Sequence, residues 1–495
     1  MPANALLRAG WVTKSMKSLA QALRVFALVP VVMLLAPQGA LGRDHAEFLE
    51  RVDRIVEPYI EANWFTGTIA LYQSDRIIYQ RSHGYADIAS GQPITADTKI
   101  RIGSITKHYT AALTLRLVQR GVFELDDPLA KFDLGFPNEI AQKITVRHLL
   151  SHRSGFEDLF TEEYINHYQS LKTIDDKLPL LLNRPLRFEP GTDHHYSNYG
   201  YIVLGAIVEK TTGQSFKQAL EAEILRPIGA RHTDYALTDE VKDKALSYTY
   251  TWAGRKQDVT HRLENLTPDG GMYASASDLV KFYSALYYSD TLINDRMKAI
   301  MMSGYADTAR PWSEIASDPK SIRLAYGGGP GVSAAVELHL RDRLFVVVLA
   351  NTDALVAEKI SQRITAAFRG DDPPPMQLPM SVFAYGYLKE VGDAAFLSEI
   401  ESTLRSEGYE GFSDRPFNRL GLELLRLGEK DRAITVLSAN CALFPDRANT
   451  FDSLAYAYAE MGKTELAVKY YEQALRVDPT FESAKDGLRE LTQEN

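Results

Sequence analysis

The sequence predicts two folded parts: an α/β (α+β) domain, in which an antiparallel sheet is flanked by helices, followed by an all-α domain. Strand-like and helix-like segments alternate from about residue 45 to residue 368, which indicates the mixed domain. Residues 369–375, Arg-Gly-Asp-Asp-Pro-Pro-Pro, cannot form regular structure and are the clearest linker in the chain. Beyond the linker the pattern is helical only, and similar residues recur every 34 positions.

The composition is that of a folded globular protein. The chain has 495 residues, of which 45% are hydrophobic and 24% are charged, so the fibrous, disordered and multi-span membrane classes are excluded. The single cysteine, Cys441, excludes a disulfide framework and any cysteine-based metal site.

Residues 1–42 have the features of a signal peptide. They carry four basic residues and no acidic ones, and the apolar run 25–36 is too short for a membrane span of about 20 residues. Small residues then favour cleavage before Arg43, so we expect a periplasmic or secreted protein with no stable membrane span afterwards. The alternative is an uncleaved anchor. Cleavage would make the net charge more negative than the −9 of the whole chain, which argues against nucleic acid as a partner.

Two strand pairs and two buried helices are predicted in the mixed domain, residues 43–370. The strands are expected at residues 65–72, 76–83, 332–340 and 344–351. Apolar residues at helical spacing predict one helix that opens near Ser104 and another that begins near Tyr199. Because the strand pairs stand at opposite ends of the domain, the antiparallel sheet should join segments that are far apart in sequence.

The repeat domain, residues 413–495, resembles the tetratricopeptide repeat, a helix–turn–helix unit of 34 residues. The matching pairs are Phe417 with Phe451, Leu420 with Leu454, Gly428 with Gly462, Ala433 with Ala467, and Pro445 with Pro479. Two clear copies are fewer than the three usually needed for a stable stack. Residues 371–412 are therefore expected to hold a linker and transitional helices, with 382–408 as a degenerate first unit or a cap. The repeats would either bind a protein partner or form a docked helical appendage without a ligand.

Ser104 and Lys107 lie one turn apart at the start of the first predicted helix. Side chains three residues apart share a helix face, so the lysine amine can reach the serine hydroxyl. A serine attacks only when a base removes its proton, and a neutral amine is such a base. The alternative is that Ser104 only caps the helix and Lys107 is solvated. A second Ser-x-x-Lys, Ser317 to Lys320, is discarded because Pro319 interrupts it.

Tyr196 and Asn198 lie between the turn at residues 190–192 and the second predicted helix. A loop in this position can direct a phenol and an amide into a cleft, where the phenol can transfer a proton. The alternative is that Asn198 caps the helix and Tyr196 is packed in the core.

Taken in order, these motifs resemble those of the serine β-lactamase and penicillin-binding-protein superfamily. The resemblance covers about residues 45–368 and is closest to the branch of class C β-lactamases, D-alanyl-D-alanine carboxypeptidases and related esterases. It implies a β-lactamase-like fold with a helical subdomain. It also implies that Ser104 is the acylated nucleophile, Lys107 its proton-accepting partner, Tyr196 a general base or acid, and Asn198 a substrate-orienting amide, with no metal or cofactor.

The third motif departs from the family pattern of lysine or histidine, a small residue and glycine. The match here is Tyr326-Gly327-Gly328, followed by Gly329. Tyr326 would offer the substrate one hydrogen bond in place of a cation, and Gly328 and Gly329 would let the backbone approach the substrate. The resemblance also implies an oxyanion hole formed by the N–H groups of Ser104 and Gly329. Esterase-like members tolerate an aromatic residue at this position, so Tyr326 favours esters or other acyl substrates over β-lactams.

The main rival is a Ser-His-Asp hydrolase, because His194 and His195 stand beside Tyr196. However, no Gly-x-Ser-x-Gly surrounds Ser104 and no His-Glu-x-x-His occurs in the chain, so both histidines are expected at the cleft wall or the surface.

We therefore predict an exported serine hydrolase that forms an acyl-enzyme on an ester, a D-amino-acid peptide or a β-lactam-type carbonyl. Its substrate would be a small molecule or a peptide that carries an acyl group. The alternative is a catalytically weakened scaffold of the same fold that acts as a binding protein through its repeats.

Overall fold

The computed structural model describes residues 43–262, 267–352 and 355–493, which divide into two compact units. Residues 43–249 and 258–375 form the first unit, and residues 250–257 and 376–493 form the second. The predicted signal peptide, residues 1–42, lies outside the described residues. Within the parts of the chain that are described, no helix is both long enough and apolar enough to cross a membrane.

The strands of the described residues are numbered in chain order. They are β1 Gly67–Gln73, β2 Arg76–His83, β3 Tyr85–Asp87, β4 Gln92–Pro93, β5 Ile100–Arg101, β6 Thr233–Asp234, β7 Tyr248–Tyr250, β8 Lys256–Asp258, β9 Tyr273–Ala274, β10 Ile322–Gly329, β11 Val332–His339 and β12 Leu344–Ala350.

The α-helices of the first unit are likewise numbered in chain order. They are α1 Arg43–Glu61, α2 Thr106–Gln119, α3 Asn138–Ala141, α4 Val146–Leu150, α5 Glu162–His167, α6 Ile174–Lys177, α7 Asn198–Thr212, α8 Phe216–Leu220, α9 Ala276–Tyr287, α10 Asp295–Met302, α11 Trp312–Ser317 and α12 Val356–Phe368.

The main sheet has five antiparallel strands in the order β10-β11-β12-β1-β2. The two predicted hairpins are confirmed as β1–β2 and β11–β12. Strand β1 pairs with β12, although the two strands stand near opposite ends of the domain's sequence. Every residue of β11 and β12 is buried, because helices cover both faces of the sheet there. Strand β10 stands at one edge, so its backbone is open on one side.

Helix α2 lies inside the first unit and carries the candidate nucleophile at its start. A 3-10 turn at Gly103–Ile105 leads into it, and most of its residues are buried. Tyr109 stacks on Phe282 with ring centroids 3.8 Å apart, which holds α2 against α9. Because α2 is packed on several sides, the residues of its first turn have fixed positions.

The second unit is helical and has its own apolar core. Its helices are α13 Met380–Ser406, α14 Asp414–Arg426, α15 Lys430–Leu443, α16 Ala448–Glu460, α17 Thr464–Val477 and α18 Glu482–Gln493. Gly392 within α13 has non-helical angles (φ 79°, ψ 171°), so this segment is two helices joined at a turn. Gly428 and Gly462 both have positive φ between paired helices, as expected for repeat units that turn at equivalent positions.

Residues 250–257 belong to the helical unit although they stand far from it in sequence. The N–H groups of Trp252 and Ala253 donate to Oε2 of Glu423 in α14, at 2.7 and 3.4 Å. Arg255 forms an ion pair with Glu429 at 2.7 Å. This insertion was not predicted from the sequence, because no local pattern marks a short polar hairpin as part of a distant unit.

Candidate active site

Ser104 lies in the 3-10 turn before α2, at a point where two backbones approach closely. Gly103 has a φ of +50°, and a Cβ atom there would lie 2.9 Å from the nitrogen of Gly328. A Cβ atom on Gly327 would lie 1.9 Å from the carbonyl oxygen of Ile102, and 3.1 Å from the nitrogen of Ser104. Glycine is therefore required on both sides of this contact, which brings the edge of β10 against Ser104.

Lys107 is 4% exposed, and its Nζ has three hydrogen-bond acceptors. It donates to Oγ of Ser104 at 3.2 Å, to Oδ1 of Asn198 at 2.7 Å and to the carbonyl oxygen of Asp269 at 2.7 Å. An ammonium group has three N–H donors, so this arrangement satisfies the side chain completely. Lys107 is therefore not the solvated helix residue of the alternative reading.

Tyr196 approaches Ser104 from another direction. Its hydroxyl donates to Oγ of Ser104 at 3.0 Å, and its ring centroid lies 5.0 Å from Nζ of Lys107. The residue is 43% exposed, so part of the phenol remains accessible to solvent. The amine of Lys107 and the hydroxyl of Tyr196, both predicted for the site, thus lie within hydrogen-bond distance of Oγ of Ser104.

His152 supports the ring of Tyr196, a contact that the sequence analysis missed. The two rings stack with centroids 4.5 Å apart, and Nδ1 of His152 accepts a hydrogen bond from the N–H of Ser197 at 3.2 Å. Burial, with a contribution from the charge of Lys107, lowers the pKa of His152 to about 3. A neutral imidazole with an unprotonated Nδ1 fits this position.

Asn198 begins helix α7 and is held at both ends of its amide. Its Oδ1 accepts from Lys107, and its Nδ2 donates to both carboxylate oxygens of Asp158 at 3.1 and 3.2 Å. Ser197, and not Asn198, is the N-cap, because its side chain accepts from the N–H of Gly200. The structure therefore adds Asp158 to the site as the residue that orients this amide.

The N–H groups of β10 alternate between β11 and the open edge of the sheet. The N–H of Leu340 donates to the carbonyl of Ser321 at 3.2 Å. Since N–H groups alternate in direction along a strand, every second residue from Leu340 back through β11 to Val332 directs its N–H group to β10. Val332 pairs with Gly329, which therefore faces β11. The N–H of Gly328 faces the open edge beside Ser104. This corrects the expectation for the oxyanion hole: Gly328, and not Gly329, is the candidate donor that accompanies Ser104.

Tyr326 does not direct its hydroxyl to the cleft, contrary to the expectation that it binds substrate. The hydroxyl donates to Oε1 of Glu337 at 2.9 Å, and Tyr326 is absent from the residues that line the cleft beside Ser104. Burial and the Glu337 carboxylate raise the pKa of Tyr326 to about 12. The physical reason is strand parity: Tyr326 pairs with Ala335, on the sheet face that also carries Glu337.

The cleft at Ser104 has a volume of about 390 Å³. Phe160, Tyr164, Ile165 and Tyr168 line one part of it, and Arg101, Arg262 and the glycines 328 and 329 line other parts. The predicted histidines are not among the lining residues. His194 is exposed, and Nε2 of His195 lies 3.7 Å from Oε1 of Glu157. A Ser-His-Asp arrangement at Ser104 is therefore not what the described residues form.

Comparison with known proteins agrees with this geometry. Residues 52–369 match the family profile described as Beta-lactamase, and residues 453–481 match the one described as Tetratricopeptide repeat. Penicillin-binding protein 4* of Bacillus subtilis (strain 168) is 27% identical over 331 residues, which are 61% of this chain and 72% of that protein. Esterase EstB of Burkholderia gladioli is 28% identical over 388 residues, which are 67% of this chain and 96% of the esterase.

A solved structure shares the fold of the first unit. The crystal structure of a penicillin binding protein from Bacillus halodurans aligns with a TM-score of 0.54 at 26% identity, covering 64% of this chain and 99% of that one. The family profile, which matches residues 52–369, spans Ser104, Lys107, Tyr196 and the glycines of β10. With a profile match over more than half of its length, the chain belongs to the beta-lactamase family of serine hydrolases and carries a tetratricopeptide repeat in its helical unit.

Proposed function

We propose that the protein is an acyl-transferring hydrolase with Ser104 as its nucleophile, acting on carboxylic esters or on the amide bonds of D-amino-acid-containing peptides. One observation carries this proposal. Oγ of Ser104 lies 3.2 Å from Nζ of Lys107 and 3.0 Å from the hydroxyl of Tyr196, so both proton-transferring groups reach the same oxygen. A serine placed in this way can lose its proton as it attacks.

The reaction has two steps. In the first, Oγ of Ser104 bonds to the substrate carbonyl carbon while its proton passes to the Lys107–Tyr196 pair, which accepts it in the form where either the amine of Lys107 is neutral or the phenol of Tyr196 has lost its proton. The carbonyl oxygen becomes an oxyanion, which the N–H groups of Ser104 and Gly328 stabilise. The bond to the leaving group then breaks, the pair returns the proton to that group, and an acyl-enzyme remains. In the second step water attacks the ester, its proton passes to the same pair, and Ser104 recovers a proton as the carboxylic acid departs.

Esters are the substrates that the site favours over β-lactams. The relatives do not choose between classes, since a penicillin-binding protein and an esterase are 27% and 28% identical to the chain. The strand beside the cleft carries Tyr326 where lysine or histidine is usual, and its hydroxyl is occupied by Glu337. A substrate carboxylate would find no cation at residue 326, and Arg101 and Arg262 line other parts of the cleft.

Export is part of the proposal and rests on residues 1–42 alone. Their basic start, short apolar run and small residues before Arg43 are typical of a signal peptide. N-terminal sequencing of the protein recovered from a periplasmic fraction tests this: a start near Arg43 supports it, and an intact N-terminus in the cytoplasm contradicts it.

Intact-mass spectrometry after incubation with a fluorophosphonate, and separately with a fluorescent penicillin, tests the proposed chemistry. We expect one fluorophosphonate adduct in the wild type and none in Ser104→Ala. Ser317→Ala is the matched control, because Ser317 stands in the discarded Ser-x-x-Lys and should leave the adduct intact. Absence of any adduct with either reagent would overturn the proposal in favour of a binding protein.

A further inference from the structure

The cleft beside Ser104 has an apolar wall that the proposed mechanism does not use. Phe160, Tyr164, Ile165 and Tyr168, in and next to helix α5, line this part of the cleft. Tyr164 is 2% exposed and contacts Phe160 edge to face with ring centroids 5.7 Å apart. Phe160 and Ile165 are 50% and 56% exposed. The wall is thus anchored by a buried tyrosine and presents two large apolar side chains to solvent.

Large apolar side chains at the mouth of a cleft are typical of a binding surface. Isolated exposed apolar residues need no explanation, and Ile88 is such a residue, 44% exposed and absent from the lining of the cleft. Phe160 and Ile165 differ because they line the same cavity as the nucleophile. An apolar group of the substrate that covered them would be transferred from water to an apolar contact, which favours binding.

The location of the wall indicates which part of the substrate it contacts. During the reaction the leaving group receives a proton from the Lys107–Tyr196 pair, whose exposed member is Tyr196, whereas the acyl group stays bonded to Ser104. Tyr196 is not among the residues that line the cleft, while Ser104 and Gly328 are. The cleft therefore suits the acyl group, and the leaving group would lie on the side of the exposed phenol.

We propose that the apolar wall is the acyl-group subsite and that the enzyme selects acyl donors with an aromatic or medium-length alkyl group over acetyl donors. This inference rests on the proposed function, and it names the substrate class of the same site. A cavity of about 390 Å³ is within the range of small-molecule sites, so an acyl group of this size fits beside the nucleophile.

Steady-state kinetics with the p-nitrophenyl esters of acetate, butyrate, octanoate and phenylacetate tests the proposal, because only the acyl group changes in this series. We expect kcat/KM of the full-length protein to rise by about tenfold or more from acetate to the best longer ester. Phe160→Ala and Ile165→Ala should each reduce this ratio severalfold, chiefly by lowering kcat/KM of the longer esters. Ile88→Ala is the matched control and should keep the ratio of the wild type.

The outcomes separate this inference from the function on which it rests. A wild type that forms the fluorophosphonate adduct but hydrolyses all four esters equally would overturn the subsite and leave the acyl-enzyme chemistry intact. The same holds if Phe160→Ala and Ile165→Ala keep the full preference. A wild type that forms no adduct and hydrolyses none of the esters would overturn both. Phe160→Leu, which keeps an apolar side chain, should retain most of the preference if burial of apolar surface is its cause.

Discussion

The hydroxyl of Tyr326 donates a hydrogen bond to Oε1 of Glu337 at 2.9 Å and so ties the edge strand β10 to its neighbour β11. Glu337 is 2% exposed and also accepts from the hydroxyls of Ser361, at 2.8 Å, and Thr365, at 2.6 Å. Three donors satisfy this buried carboxylate, which would otherwise be costly. Tyr326 therefore holds the strand that carries Gly328, and we expect it to affect the proposed reaction through the position of this backbone.

Tyr326→Phe keeps the ring and removes the hydroxyl, so it isolates this hydrogen bond. Since the acceptor is a charged group, we expect the free energy of unfolding to fall by about 1.5 to 3 kcal/mol in urea denaturation. We also expect kcat to fall several-fold while KM changes little. Tyr85→Phe, at an exposed tyrosine, is the control. A raised KM without loss of stability would instead mean that Tyr326 contacts the substrate.

Asp158→Ala tests the orientation of the amide of Asn198. Without the carboxylate, Nδ2 of Asn198 loses its two acceptor oxygens, and the amide can rotate away from Lys107. A small displacement of a positioned group can cost about a hundredfold in rate, so we expect kcat/KM to fall by one to two orders of magnitude. The fluorophosphonate adduct on Ser104 should still form, but more slowly. Unchanged kinetics would show that Asp158 is only a surface acid.

Gly327→Ala and Gly329→Ala form a matched pair on β10. A Cβ at residue 327 would lie 1.9 Å from the carbonyl oxygen of Ile102, whereas a Cβ at residue 329 would meet its nearest atom, on Val332, at 3.9 Å. We expect Gly327→Ala to abolish acylation of Ser104 and to lower the thermal midpoint, and Gly329→Ala to keep both. Equal activity of the two variants would contradict the close approach of β10 to Ser104.

Stability at acidic pH should depend on His152. The pKa of His152 is lowered from 6.5 to about 3 in the folded protein, mainly by burial. Between these values the unfolded chain binds a proton that the folded protein excludes, so the free energy of unfolding falls as pH drops from about 6.5 to about 3. The loss amounts to at most about 1.4 kcal/mol per pH unit.

Urea denaturation of the wild type and of His152→Asn between pH 7 and pH 4 measures this contribution. Asparagine keeps an oxygen that can accept from Ser197 but does not titrate in this range. We therefore expect a shallower loss of stability in the variant, with similar stability of the two proteins near neutral pH. Parallel curves would exclude His152 as a source of the pH dependence.

The sequence alone was sufficient for features that depend on local spacing. Ser104 and Lys107 meet because residues three apart share a helix face, and the structure has Nζ of Lys107 3.2 Å from Oγ of Ser104. The two predicted hairpins and the 34-residue helical period are similarly local, because each is defined by contacts between nearby residues.

Long-range partners could not be predicted in this way. Asp158, His152 and the carbonyl of Asp269 contact the site residues from segments that no spacing rule connects to them. The same is true of the hairpin at residues 250–257, which packs within the helical unit through Glu423. Such pairings follow from the way helices and sheet pack around a common core.

By itself, then, the sequence determined the change from a mixed domain to helical repeats, and it predicted Ser104 as the candidate nucleophile together with Lys107, Tyr196 and Asn198. Only the tertiary structure decided that Tyr326 faces Glu337 and that Gly328 directs its N–H to the open edge beside Ser104. The physical reason is the parity of a β-strand. Successive side chains point to opposite faces and successive N–H groups to opposite edges, so the role of each residue depends on the register with which its neighbour pairs.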